Sequence, residues 1–216
     1  MIDALLVESF AVDDDVRDFF LRVQREMHAR IGHARGECRD LVGATRDQAL
    51  SALADADGVT FFAHGVRDHV VAADGSALFD GADVNTLKGK WCHALSCLTA
   101  ADHAPDSLAN LAAPHADVDV GYASEIRVPI FLDSLDDPNV GARVLDLACA
   151  LSCELGNGCF DEKALRAVVI QAWSALMGAL DEALANGRCD PMTLTSVSQI
   201  TKMLWEDLRL VGVGLR

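Results

Sequence analysis

Up to Gly65 the sequence alternates between two textures, and that alternation restricts the available folds more than any other feature of the chain. Residues 2–7, IDALLV, read as a short buried strand. Asp13, Asp14 and Asp15 then offer an N-cap and first-turn carboxylates to a helix that runs to about residue 30, with Gly32 as its stop. Residues 38–42 form a weaker strand. Thr45 and Gln48 have capping-box spacing ahead of a short helix over 49–54, and Asp57-Gly58 turns the chain into a third strand that ends in VTFFAHG. Strand, helix, strand, helix, strand implies a parallel sheet with helices on its faces, because parallel neighbours need a crossover between them.

Beyond Gly65 the pattern shortens. Residues 70–73 and 77–79 flank Asp74-Gly75 as a small hairpin, 82–89 hold a helical turn, and 91–96 form another sheet strand that stops at Cys97. A short helix over 107–113 precedes a strand over 118–123, which ends at Ser124-Glu125. From residue 137 onward the chain reads as helical, with segments over 139–155, 161–186 and 191 to about 210. Leu165, Val169, Leu176 and Leu180 give the middle segment a buried face. A hydrophobic fraction of 51% supports a sizeable core. The expectation is one domain over 1–216, with sheet-bearing residues 1–135 and helices over 136–216 packed on them.

Two of these strands stop on chemically capable residues, His64 and Cys97. In an open parallel sheet the carboxyl ends of the strands line one edge, where ligands and catalytic groups gather. An imidazole there can take the proton of a thiol, stabilise the thiolate and later protonate a leaving amine. Gly65 lets the backbone approach a substrate, and its amide with that of Cys97 can face a developing oxyanion. No third, orienting residue is evident from the sequence. Taken singly, His64 reads as a hydrogen-bonding structural residue and Cys97 as a small buried hydrophobe; it is the pair in register that points to catalysis.

FFAHG, the following DGSALFDGADVNTLKGK, and WCHALSCLTA together resemble the caspase-like cysteine peptidases, and within them the CHAT-type proteases. That resemblance covers roughly residues 1–130, and DVDVGYASE is similar to the family's strand after the cysteine. It implies a caspase-like three-layer α/β sandwich with a mainly parallel central sheet, extended here by C-terminal helices. It also implies His64 as general base and acid and Cys97 as nucleophile of an endopeptidase. The chain departs from the pattern in lacking Gly before His64 and Ala beside Cys97. Members of the group bind one charged side chain next to the scissile bond. Glu125, directly after the strand beyond Cys97, is the candidate pocket carboxylate, with Asp102 and Glu8 as weaker ones, which suits a basic residue.

The 33 acidic against 18 basic residues, a net charge of −15, exclude broad affinity for nucleic acid. The same field favours cationic substrates, or simply solubility. No run approaches the about 20 uninterrupted apolar residues of a membrane span, and the start MIDALLVESF has no signal-peptide pattern, so a cytoplasmic protein without membrane contact is expected. Seven cysteines, an odd number, read as reduced thiols. Cys149, Cys153 and Cys159 have apolar neighbours and read as core rather than zinc ligands, and Cys92, His93 and Cys97 lack zinc spacing. His69 and His93 read as surface or packing residues. The Asp13 cluster is reminiscent of phosphoacceptor receivers, whose third strand ends in Asp rather than His-Gly. No phosphate loop occurs, and no metal or cofactor is expected. Three functions stand beside one another: a His-Cys endopeptidase acting on protein substrates, a catalytically silent caspase-like module that binds a regulatory partner through its C-terminal helices, and an enzyme using Cys97 for other acyl or thiol chemistry.

Overall fold

A computed structural model of the chain describes residues 3–34, 37–101, 104–123 and 137–216. Its centre is a six-stranded sheet in the order β2-β1-β3-β7-β8-β9. The strands are β1 (Asp3–Glu8), β2 (Glu37–Leu41), β3 (Gly58–Phe62), β7 (Trp91–Leu95), β8 (Val118–Tyr122) and β9 (Leu208–Val211). The first five run parallel and β9 returns antiparallel to β8. Parallel pairing follows from the helical crossovers α1 (Arg17–Ala34) and α2 (Arg46–Ala54). A second sheet, β4 (His64–Gly65), β5 (His69–Val71) and β6 (Ala77–Asp80), is antiparallel throughout.

Burial on both faces makes the sheet the middle of three layers. Successive residues point to opposite sides. Ala4, Leu6, Phe62, Trp91 and Leu95 meet α1 together with α4 (Pro138–Gly156) and α5 (Glu162–Ala185). Leu5, Val7, Val59 and Phe61 meet α2, the small sheet and α3 (Leu108–Ala112). α6 (Pro191–Glu206) adds Val197 to the first core. α5 is 24 residues long with a mean hydropathy of 1.3 over its most apolar window, a length and composition that a membrane span also has. Here its Leu165, Val169, Leu176 and Leu180 are buried in the core.

A buried polar chain ties the layers together. Thr60 Oγ1 donates to Ser152 Oγ at 2.9 Å, Ser152 lies 2.6 Å from His93 Nδ1, and His93 Nε2 lies 3.0 Å from the Tyr122 hydroxyl. It joins β3, β7, β8 and α4. Burial pushes His93 down to about 3, so the ring is neutral.

Three expectations needed correction. α1 begins at Arg17, after the Asp cluster, and passes through position 32 to Ala34. Val23, Met27 and Ile31 keep one buried stripe going past the point where glycine alone suggests a stop, and burial outweighs the roughly 1 kcal/mol cost of an interior glycine. The last helix stops at Glu206 instead of about residue 210, because Leu208 and Leu210 alternate inward with Arg209 between them and complete the sheet as β9. Finally, His64 does not close β3. It begins β4, in register with Val71, and so belongs to the small sheet at the exit of β3.

Candidate active site at the carboxyl edge of the sheet

His64 and Cys97 leave the main sheet from adjacent strands. β3 and β7 are parallel neighbours with Phe62 paired to Leu95, so the chain leaves both strands at the same edge. What locks the two exits together is Gly65. A Cβ at this position would lie 2.4 Å from the Cys97 carbonyl oxygen, 2.8 Å from Ser96 Cβ and 3.1 Å from the Cys97 nitrogen. Only glycine permits that approach, so the His-Gly pair is seated on the Ser96–Cys97 backbone. The face read from the sequence as room for substrate is thus occupied by Cys97 itself.

Cys97 is half-buried, and Ser96 before it is 2% exposed. After it, Leu98 has a φ of +58°, a left-handed conformation rare for any residue with a Cβ. Such strain persists where surrounding contacts over-determine it. Here Ala101 N–H donates to the Leu98 carbonyl at 2.9 Å, Ala100 N–H to that of Tyr122 at 3.0 Å and Ala109 N–H to that of Thr99 at 3.0 Å. The cysteine is presented at a sharp turn fixed on both sides.

His64 has a partner the sequence did not suggest. Its Nε2 lies 2.6 Å from Asp14 Oδ2, with side-chain exposures of 57% and 17%. Asp14 Oδ1 accepts from the Val16 amide at 3.0 Å, and Asp14 N–H donates to the Ala11 carbonyl at 3.1 Å, so the carboxylate is held in the turn between β1 and α1. Phe10 meets the imidazole edge-on at 5.1 Å between ring centroids and stacks on Phe20 at 4.9 Å. With Nε2 engaged by a carboxylate, Nδ1 is the nitrogen left for proton exchange. No signal in the sequence pairs Asp14 with His64; the strand order does. β3 lies beside β1, which puts the loop leaving β1 next to the one leaving β3.

The other candidates divide. Glu8 is fully buried and already occupied: Oε1 accepts from Phe10 N–H and Arg17 Nε, both at 3.0 Å, and Oε2 from Gly43 N–H at 2.8 Å. It staples the loops after β1 and β2, which corrects its reading as a pocket acid. Glu125 and Asp102 lie outside the described residues. His93 is in the core network and His69 pairs with Asp68 at 3.0 Å. Cys149, Cys153 and Cys159 pack in or against the core, as their neighbours suggested.

No protein-family model matches the sequence, and no curated protein matches it. Among solved structures the chain is similar to the Arg-specific cysteine proteinase gingipain R (RGPB), with a TM-score of 0.56 and 11% identity over 97% of this chain. The chain spans 46% of the length of that structure. At that identity the likeness shows the fold: a caspase-like α/β sandwich around a mainly parallel sheet.

Proposed function

We propose that the protein is a cysteine endopeptidase in which Cys97 is the nucleophile and His64, oriented by Asp14, is the base and acid. The observation that carries this reading is the seating of Gly65 on the Cys97 backbone, which brings the exits of β3 and β7 together at the edge where such chemistry is placed. His64 takes the thiol proton at Nδ1 and the sulfur attacks the peptide carbonyl. As the tetrahedral intermediate collapses, the C–N bond breaks and the amine leaves with the imidazolium proton. Water then attacks the thioester, giving its proton to His64 and releasing the Cys97 thiolate. Amides at Gly65 and Cys97 are the candidate oxyanion donors. The Asp14 carboxylate fixes the ring and stabilises the imidazolium.

A basic residue before the scissile bond fits the net charge of −15, and Glu125 and Asp102 are its proposed carboxylate partners. Gingipain R is Arg-specific by description, which agrees with this preference. Val12, two residues before Asp14 and 86% exposed, and Val66, next to Gly65 and 37% exposed, are proposed to meet a neighbouring hydrophobic side chain of a peptide. All seven cysteines are free thiols, consistent with a reducing, cytoplasmic setting. A regulatory protein docking on the C-terminal helices, and kinship with the CHAT-type branch, complete the proposal.

Peptide-library cleavage by the wild type, Cys97→Ala, His64→Ala and Asp14→Asn tests it. The first two variants are expected to lose cleavage, and Asp14→Asn to lower kcat roughly tenfold or more with KM little changed. A wild type that neither cleaves nor labels at Cys97 with a thiol-directed acylating probe would favour the non-catalytic interaction module. Unchanged cleavage preference in Glu125→Ala would remove that residue from the pocket.

A further inference from the structure

Far from this edge, on the outer strand, three side chains from two elements converge in a way the proposed peptidase chemistry does not use. Cys38 and Asp40 are two apart on β2 and therefore point to the same face, the one covered by α1. His28 reaches them from α1, with Nδ1 2.7 Å from Asp40 Oδ2. The potential ligand atoms of all three residues lie within 4.8 Å of one another. The scaffold is firm: one helical turn earlier, Gln24 Nε2 donates to the carbonyls of Leu6 at 3.0 Å and Leu41 at 3.2 Å, pinning α1 across β1 and β2. Cys38 is in register with Ala4 and Asp40 with Leu6, so the cluster lies back along the strands from the catalytic edge beyond Glu8.

We propose that His28, Cys38 and Asp40 form a binding site for a zinc-like divalent cation, with an open fourth position for water. A thiolate, an imidazole and a carboxylate together suit zinc or cobalt and not the all-oxygen preference of magnesium or calcium. Tetrahedral coordination at roughly 2.0–2.3 Å needs ligand atoms roughly 3–4 Å apart, so small rotamer adjustments suffice. The metal displaces the proton of the Cys38 thiol, which is released to solvent, and takes the Nδ1 lone pair of neutral His28, whose proton then sits on Nε2. His28 and Asp40 are exposed, which gives the ion a route in. Zinc spacing rules cannot find this site, because its ligands come from a helix and an edge strand.

The test is titration of the reduced full chain with Co²⁺ and then Zn²⁺. One cobalt per chain is expected, with thiolate-to-cobalt charge-transfer absorption that zinc displaces, and a thermal midpoint raised by zinc. Cys38→Ser and His28→Gln, whose metal-free melting serves as the folding control, are expected to weaken zinc binding at least tenfold and to lose the midpoint shift. Asp40→Asn is expected to weaken binding while keeping the charge-transfer band. Cobalt or zinc binding unchanged in both Cys38→Ser and His28→Gln would overturn the site, as would the absence of stoichiometric binding by the wild type. Neither readout depends on peptide cleavage.

Discussion

Gly65 carries more of the proposed site than its lack of a side chain suggests. The atom nearest a Cβ there is a backbone oxygen, that of Cys97, which cannot swing aside as the end of a long side chain can. Gly65→Ala must therefore displace either β4 or the turn bearing the cysteine, at a cost of about 1–3 kcal/mol. The displacement falls between the two groups proposed to react, and small misplacements between reacting groups are expensive in rate. We expect kcat/KM to fall by roughly a hundredfold while the fold persists, measured as cleavage rate beside the thermal midpoint. Activity retained in a folded Gly65→Ala protein would show that the contact does not set the dyad geometry. That the His64-Gly65 and Cys97 segments leave the sheet side by side was legible in two short blocks of sequence. Asp14 was not, because its relation to His64 exists only once β1 and β3 are side by side.

At the scale of elements, β7 and β8 bury two titratable groups with opposite consequences for stability. His93 is pushed down to about 3 and Asp119 up to about 7, both by burial. Asp119 pairs in register with Cys92, and its Oδ1 has no hydrogen-bond partner among the described residues. For His93 the folded value lies below the unfolded one of about 6.5, so its contribution is complete above that pH and is lost as pH falls toward about 3. For Asp119 the folded value lies above the unfolded one of about 3.9, so stability is lost as pH rises through about 7. Between those limits the two slopes oppose each other. Asp119→Asn removes one of them, and its stability relative to wild type is expected to improve by roughly 3 kcal/mol between about pH 4.5 and about pH 7.5 in urea unfolding. A constant difference across that range would mean that the carboxyl titrates normally.

Elements with strong local patterns are readable in the sequence: β1, α2 with its Thr45–Gln48 capping box, β3, β7 and α5. β9 was missed because four residues after a helix carry too little alternation to compete with helical continuation. Only the unpaired flank of β8 makes a strand there favourable. The Gly32 stop failed for the complementary reason, since tertiary burial of Ile31 overrode a local signal.

For the whole molecule, the net charge of −15 acts over distances longer than any contact. A cationic peptide approaching this surface is steered toward it, and salt screens that steering over about 10 Å at about 0.1 M. Cleavage of Arg- or Lys-containing peptides is expected to fall several-fold in kcat/KM between low salt and about 0.5 M, and that of uncharged peptides much less. Equal salt responses for both would remove the field from substrate selection.

The order of elements along the chain also sets a timetable. Both His64 and Cys97 are translated well before α4 and α5, the helices that roof one face of the sheet carrying them. A ribosome-bound chain thus holds both reactive groups while Phe62, Trp91 and Leu95 still lack their cover, and the polar chain through Ser152 of α4 is unfinished. The proposed nucleophile and base are thus synthesised early, and the core beneath the strands that carry them is completed last.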